Sequence, residues 1–405
     1  MPNHINDVTN GSQNRNKTAL NPTQSRIIDA LLDAWCTLPA DAISVRVVVQ
    51  KAAAAQSSIH YHFGDLERLY FTASRAALRE GQAWMDAWLT RLDVLGREPL
   101  SSELQASLIA STIAEWTAGQ RRLAMAWRHA PDAQWQAAWD GFWGRLATIL
   151  GLDEHADCLA CFAAGEAARH LLVWNPLLDR ALLEETASTL TLWLSEQRVG
   201  AESVRPTYRA LAKRGYDVPV LHRDLLGTNI ANAAAELLAE QGHAGVTFRA
   251  VATRAGVTLG KVIHVFGTKS ALLHAALHNL YEREALGGDP AKLLARKFAP
   301  EAMVDRLLEA VIERHQPVLT AYDEIERAIY NGDDHASLRG LVRAMDDPSG
   351  TWALQQILGG MPPSASLVAV FSAIIRGIGY RAVHGGLDEG DLQSGARTAL
   401  RPFLL

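Results

Sequence analysis

Shifted against itself by 203 residues, the chain matches without a gap. Ile27 meets Ile230, Ala30 meets Ala233, Arg46 meets Arg249, Val48 meets Val251 and Ala52 meets Ala255. Further on, Phe63 meets Phe266, Gly64 meets Gly267, Leu69 meets Leu272 and Ala73 meets Ala276. An internal repeat of roughly fifty residues in each half constrains the fold more than any other feature. With 405 residues the chain also exceeds what one hydrophobic core organises, so two similar units are expected.

Each copy opens on a helical pattern. Ile27, Leu31, Ala34 and Trp35 share one face in the first, and Ile230, Ala234, Leu237 and Leu238 in the second. In copy two the polar stretch 241–245 ends that helix, and Thr247 is placed to cap a short helix from Phe248 to Ala255. Gly256 ends it, where a residue free to take positive φ is needed, and Thr258 caps a second short helix from Leu259 to Val265. Ser44 is the matching first cap in copy one. Two short helices around a glycine turn form a helix-turn-helix. A connector helix follows (Leu69, Ala73, Ala76 and Ala77; Leu272, Leu273, Ala276 and Leu280), then about 120 residues of helical pattern without alternating strand blocks. The expected fold class is all-α. Pro206, Gly215 and Pro219 interrupt the apolar periodicity where the copies join.

Composition narrows the function. At 48% hydrophobic and 20% charged, with no long uncharged apolar run, the chain reads as soluble, with no membrane partner. Its N-terminus is polar and lacks a secretory apolar region, so a disordered arm and a cytoplasmic location are expected. The net charge of −5 argues against indiscriminate polyanion binding, yet residues 244–269 hold Arg249, Arg254, Lys261 and Lys269 and no carboxylate. Residues 41–66 balance Arg46 and Lys51 against Asp41 and Asp65.

The segment from Thr247 to Lys269, TFRAVATRAGVTLGKVIHVFGTK, resembles the DNA-binding signature of the tetracycline-repressor (TetR) family. Residues 44–65 resemble it too, most closely in His60-Tyr61-His62-Phe63-Gly64-Asp65. The resemblance implies two tandem repressor units. Residues 1–22 would be an arm, 23–80 and 224–284 the helix-turn-helix domains, 81–200 and 285–405 the helical effector and dimerisation domains, and 201–223 a linker. In such units the recognition helix enters the major groove while neighbouring groups hold phosphates. The DNA-binding candidates are therefore Arg46, Gln56, Ser57, Ser58, His60 and Tyr61 in copy one. In copy two they are Arg249, Thr258, Leu259, Gly260, Lys261, His264 and Lys269. Copy one departs from the pattern, with Ala53 in place of the turn glycine and Leu66 in place of the lysine, and Arg15, Lys17 and Arg26 offer substitute phosphate contacts.

The resemblance further implies a partner, double-stranded operator DNA, and a last helix pair that joins a second copy. Here both copies lie in one chain, so an intrachain pseudo-dimer is expected, with further oligomers open. Such a protein regulates transcription, as a repressor released by a small molecule; the alternative is a co-regulator whose first head has decayed. Ten of the 11 tryptophans lie in copy one. Trp116, Trp127, Trp135 and Trp139 are the candidate lining of a pocket for a hydrophobic or aromatic effector, with ordinary core packing as the competing reading. Cys158 and Cys161, one helical turn apart without a second pair, read as buried thiols rather than a metal site, with a redox switch as the lesser alternative. No catalytic motif, metal site or cofactor is expected, and the chain is not read as an enzyme.

Overall fold

The computed structural model describes residues 20–38, 42–96, 98–197, 203–215, 224–285, 297–313, 325–326, 328–330, 335–344, 348–384 and 386–404. Among them there is no strand. Most of the expected arm, with Arg15 and Lys17, lies outside the described residues.

The first head comprises α1 (Pro22–Thr37), α2 (Val45–Lys51), α3 (Ser57–His62) and the start of α4 (Leu66–Leu92). Asn21 opens α1 with a capping box: its side chain accepts from Gln24 N while Gln24 returns a bond to the Asn21 N–H. The apolar stripe that nucleates the helix, Ile27, Leu31, Ala34 and Trp35, is buried. The second head repeats the plan in α11 (Leu225–Gly245), α12 (Phe248–Ala255), α13 (Leu259–Phe266) and α14 (Lys269–Ala285). Gly242, at φ 68°, breaks the end of α11 within the polar stretch.

α4 runs unbroken past residue 80, so a single rigid rod carries the first head into the first helical body. That body contains α5 (Ser102–Ala114), a π-helical turn at Glu115–Gly119, α6 (Arg121–His129), α7 (Ala133–Leu150), α8 (Ala156–Leu171) and α9 (Pro176–Leu194). Seven tryptophans fill it. Three of the indole N–H groups are bonded within it: Trp135 donates to Ser74 of α4 (3.1 Å), Trp139 to the Ala160 carbonyl (3.2 Å) and Trp88 to Thr112 (3.0 Å). Ser74 in turn donates a hydrogen bond to the Ala130 carbonyl, so the connector helix is tied to the body by a short polar chain.

Within the stretch expected as a linker, residues 205–215 form a helix, α10 (Arg205–Gly215), with Pro206 at its second position, where a missing N–H costs nothing. It buries Arg205, Tyr208 and Ala212. Arg205 donates to Thr186 (2.7 Å) and pairs with Glu185 (3.0 Å), and Tyr208 donates to Asp179 (2.7 Å). Local composition gave no sign of these partners.

The second body contributes α15 (Pro300–Ile312), α16 (His335–Ala344), α17 (Pro348–Ile357), α18 (Ala365–His384) and α19 (Glu389–Leu400). α18 is the one described helix long and apolar enough to cross a membrane by length and composition, but its apolar surface is spent on protein: it crosses α8 antiparallel and packs on α9, while α19 packs on α8. The crossing is tight. A Cβ on Gly165 would run into the Ala373 carbonyl, and one on Gly377 into the Cys161 carbonyl. One buried cluster therefore runs from the first head through α8 into α18 and α19, whereas the second head has its own core, shared with Ala212, Ile325, Ile329, Leu338 and Val342.

Candidate nucleic-acid interface

Both heads build their turn with the same backbone. Gly256 sits at φ 65°, and Ala53, its counterpart, at φ 47°. The left-handed conformation survives in copy one although the residue carries a Cβ, which costs about 1 kcal/mol. Gly64 and Gly267 likewise share positive φ after the recognition helix.

The heads diverge in how that helix begins. In copy two the Thr258 hydroxyl accepts from Lys261 N (3.4 Å), and Thr247 caps α12 by accepting from Ala250 N (3.1 Å). In copy one Ser44 caps α2 (3.4 Å to Val47 N), but Ala55 stands where Thr258 does, and α3 starts without a side-chain cap. Asp65, which neutralises the charge of residues 41–66, accepts from Arg68 N (2.7 Å) and caps α4; Thr268 does the same for α14 (3.1 Å). The acidic residue in the first motif is thus a cap as well as a charge. Asp41 lies outside the described residues.

The copy-two candidates are all exposed: Arg249 on α12, Thr258 capping α13, Leu259, Gly260, Lys261 and His264 along α13, and Lys269 opening α14. Ile263 on the same helix is an exposed apolar side chain, at 45%. Arg254 turns away, paired with Glu240 (2.7 Å) and Glu236 (3.3 Å) of α11, whereas no described carboxylate pairs with Arg249, Lys261 or Lys269. Three cations, not four, are left for an anion. In copy one Arg46, Gln56, Ser57, His60 and Tyr61 are exposed, Tyr61 at 84%, and Ser58 is half-buried. His60 donates from Nδ1 to the Gly64 carbonyl (2.8 Å). Arg26 is exposed on α1.

The four tryptophans singled out for a pocket divide. Trp135 and Trp139 are sealed in the aromatic core with their N–H groups satisfied. Trp116 and Trp127 line a small cavity of about 50 Å³ between α6 and α8, with Arg128 and Tyr380 at its edge. Arg128 bonds Glu326 at 2.6 Å, a contact across 198 positions that no local pattern announces. Cys158 and Cys161 are buried in α8; burial pushes both thiols up, Cys161 to about 12. No group of described residues could hold a metal.

A helix-turn-helix head in an all-helical chain defines a class of DNA-reading regulators. The model of the bacterial regulatory proteins, tetR family, matches residues 230–276. The HTH-type transcriptional regulator SrpR of Pseudomonas putida is 31% identical over 176 residues, 41% of this chain and 76% of the relative. The HTH-type transcriptional repressor Rv3405c of Mycobacterium tuberculosis is 34% identical over 97 residues, 24% of this chain and 46% of the relative; the regulator Mb3439c of Mycobacterium bovis matches to the same extent. The chain spans about half the length of these mycobacterial relatives. The protein belongs to the tetR family of bacterial regulators, whose members are non-enzymatic DNA-binding proteins.

Proposed function

We propose that the protein is a DNA-binding transcriptional regulator in which two TetR-like units, joined in one chain, act as a pseudo-dimer and repress until a small hydrophobic or aromatic effector binds. The observation that carries this reading is the α8–α18 crossing. A shift of 212 residues turns Cys161 into Ala373 and Gly165 into Gly377, so the contacts Cys161–Gly377 and Gly165–Ala373 exchange with each other. Self-exchange of contacts is what a two-fold interface between like subunits requires. With the bundle face occupied within the chain, the two heads diverge freely, and the operator need not be a palindrome.

A second reading, a co-regulator with a decayed first head, draws on the uncapped α3 and the strained Ala53. A mobility-shift titration on DNA upstream of the protein's own gene, at two salt concentrations, separates the two. Lys261→Ala is expected to weaken binding about tenfold and to flatten the salt dependence. If the double variant Ser58→Ala/His60→Ala also weakens binding, both heads read DNA; if it leaves binding unchanged, the co-regulator reading replaces the two-headed one.

A further inference from the structure

α6 stands between the two halves and holds both. Toward the first head, Arg122 pairs with Asp29 and lies 3.9 Å from Asp33, and His129 stacks on Trp35 with ring centroids 5.7 Å apart. Toward the second half, Arg128 bonds Glu326, whose carboxylate also accepts the Tyr380 hydroxyl (2.8 Å). Glu326 is flanked by Ile325, Ala328 and Ile329, which belong to the core of the second head. The cavity lined by Trp116 and Trp127 opens at this junction, with Arg128 on its edge.

The chemistry of that lining selects a ligand. Trp116 and Trp127 together with the small side chains of Ala164 and Ala168 make a lining that suits an aromatic ring. The Arg128 guanidinium has five N–H donors in a planar fork, a geometry made for a carboxylate, and its Nη2 bond to Glu326 spends part of it. The shift that relates α8 to α18 puts Arg376 and Tyr380 where α8 has Ala164 and Ala168, so the small residues that open this cavity belong to the first half. A cavity that admits benzene measures roughly 150 Å³, so this smaller one must widen when a ring enters. Trp116 is locked in the core, whereas Arg128 and Tyr380 are half-buried, so widening the cavity on their side must disturb their bonds to Glu326.

We propose that this cavity is an effector site for a planar aromatic carboxylate, and that its occupancy loosens the Arg128–Glu326 bond between the halves. The inference rests on the effector-responsive reading above and specifies its ligand and its route. The ligand carboxylate shares Arg128 with Glu326, and two anions on one guanidinium repel each other, which weakens the tie from α6 to the second half.

Calorimetric titration of the full-length protein, without DNA, tests this with 2-naphthoate and its neutral isostere 2-naphthamide. Naphthoate is expected to bind at least tenfold more tightly than the amide. Glu326→Gln, which removes the competing anion, is expected to strengthen naphthoate several-fold and leave the amide unchanged; Arg128→Met and Arg128→Lys are expected to erase and to reduce the preference. Equal affinity for the two probes, no naphthoate binding by the wild type, or weaker naphthoate binding by a folded Glu326→Gln overturns the proposal. The wild-type comparison needs no variant, so misfolding cannot mask the result. Mobility shifts in the presence of naphthoate keep the two readings apart. Unchanged operator affinity with naphthoate bound overturns effector release but not the site, whereas intact operator binding by a protein that ignores naphthoate overturns the site but not DNA binding.

Discussion

Gly377 rests its bare α-carbon against the carbonyl of Cys161, and four residues along α8 Gly165 does the same against Ala373. Neither position has room for a methyl group, because the obstacle is backbone held in a helix and not a side chain that can rotate. Gly165→Ala and Gly377→Ala are each expected to destabilise the protein by about 3 kcal/mol, at the upper end of overpacking costs. Urea denaturation monitored by circular dichroism checks this; a loss below about 0.5 kcal/mol for either variant would mean that the crossing relaxes.

Ala53 takes a left-handed backbone that its counterpart Gly256 adopts without strain. Ala53→Gly is therefore expected to stabilise the first head by about 1 kcal/mol, and Gly256→Ala to destabilise the second by a similar amount. Opposite signs at equivalent positions, read as shifts in thermal midpoint, distinguish this from a general glycine effect in which both glycine variants are the weaker ones.

His129 is half-buried between Trp35 and Tyr330 beside Arg128. Burial first, and then the neighbouring guanidinium, hold its ring at about 4 instead of 6.5, against a hydrogen bond to the Trp35 backbone. The unfolded ring takes a proton near pH 6.5 that the folded ring refuses until about pH 4, so stability is full above that window and falls as pH drops through it. Between pH 7.5 and pH 5 this histidine is expected to account for about 2 kcal/mol of the loss. His129→Phe should remove that part of the pH dependence; an unchanged slope would assign it to other groups, of which His170 and His155 are also lowered, chiefly by burial.

Cys158 and Cys161 lie sealed beneath the α8–α18 crossing, and burial keeps their thiols protonated, while Cys36 is only half-buried. With a thiol-reactive dye, Cys36 is expected to react in the native protein and all three cysteines after denaturation. Rapid native labelling of Cys158 or Cys161 would reopen the redox-switch reading.

In the deepest buried cluster of the bundle, the same logic of compensation holds. Burial alone would raise the Glu166 carboxyl, but Arg169 at 3.7 Å and the His170 hydrogen bond at 3.1 Å hold it at about 2. Arg343, equally buried, is matched by Asp179 at 3.1 Å and by the carbonyls that end α8. Arg169 and His170 stand one helical turn from Glu166, whereas Arg343 reaches Asp179 from a segment more than 150 residues away, which no short-range pattern marks.

The sequence by itself determined the heads. Their helices are short and close in the chain, and their caps, glycine turns and apolar stripes act over three or four residues, so Thr247, Thr258, Gly256 and the buried faces of α1 and α11 follow from local rules. The helical class of the bodies was legible for the same reason. Tertiary structure alone decided that Arg254 is drawn off to α11, that 205–215 is a helix docked through Arg205, Tyr208 and Ala212, that Trp135 and Trp139 are core while Trp116 and Trp127 border a cavity, and that Arg128 meets Glu326. Each of these depends on which surfaces meet across large sequence separations, and hydrophobic periodicity says that a face is buried without saying against what.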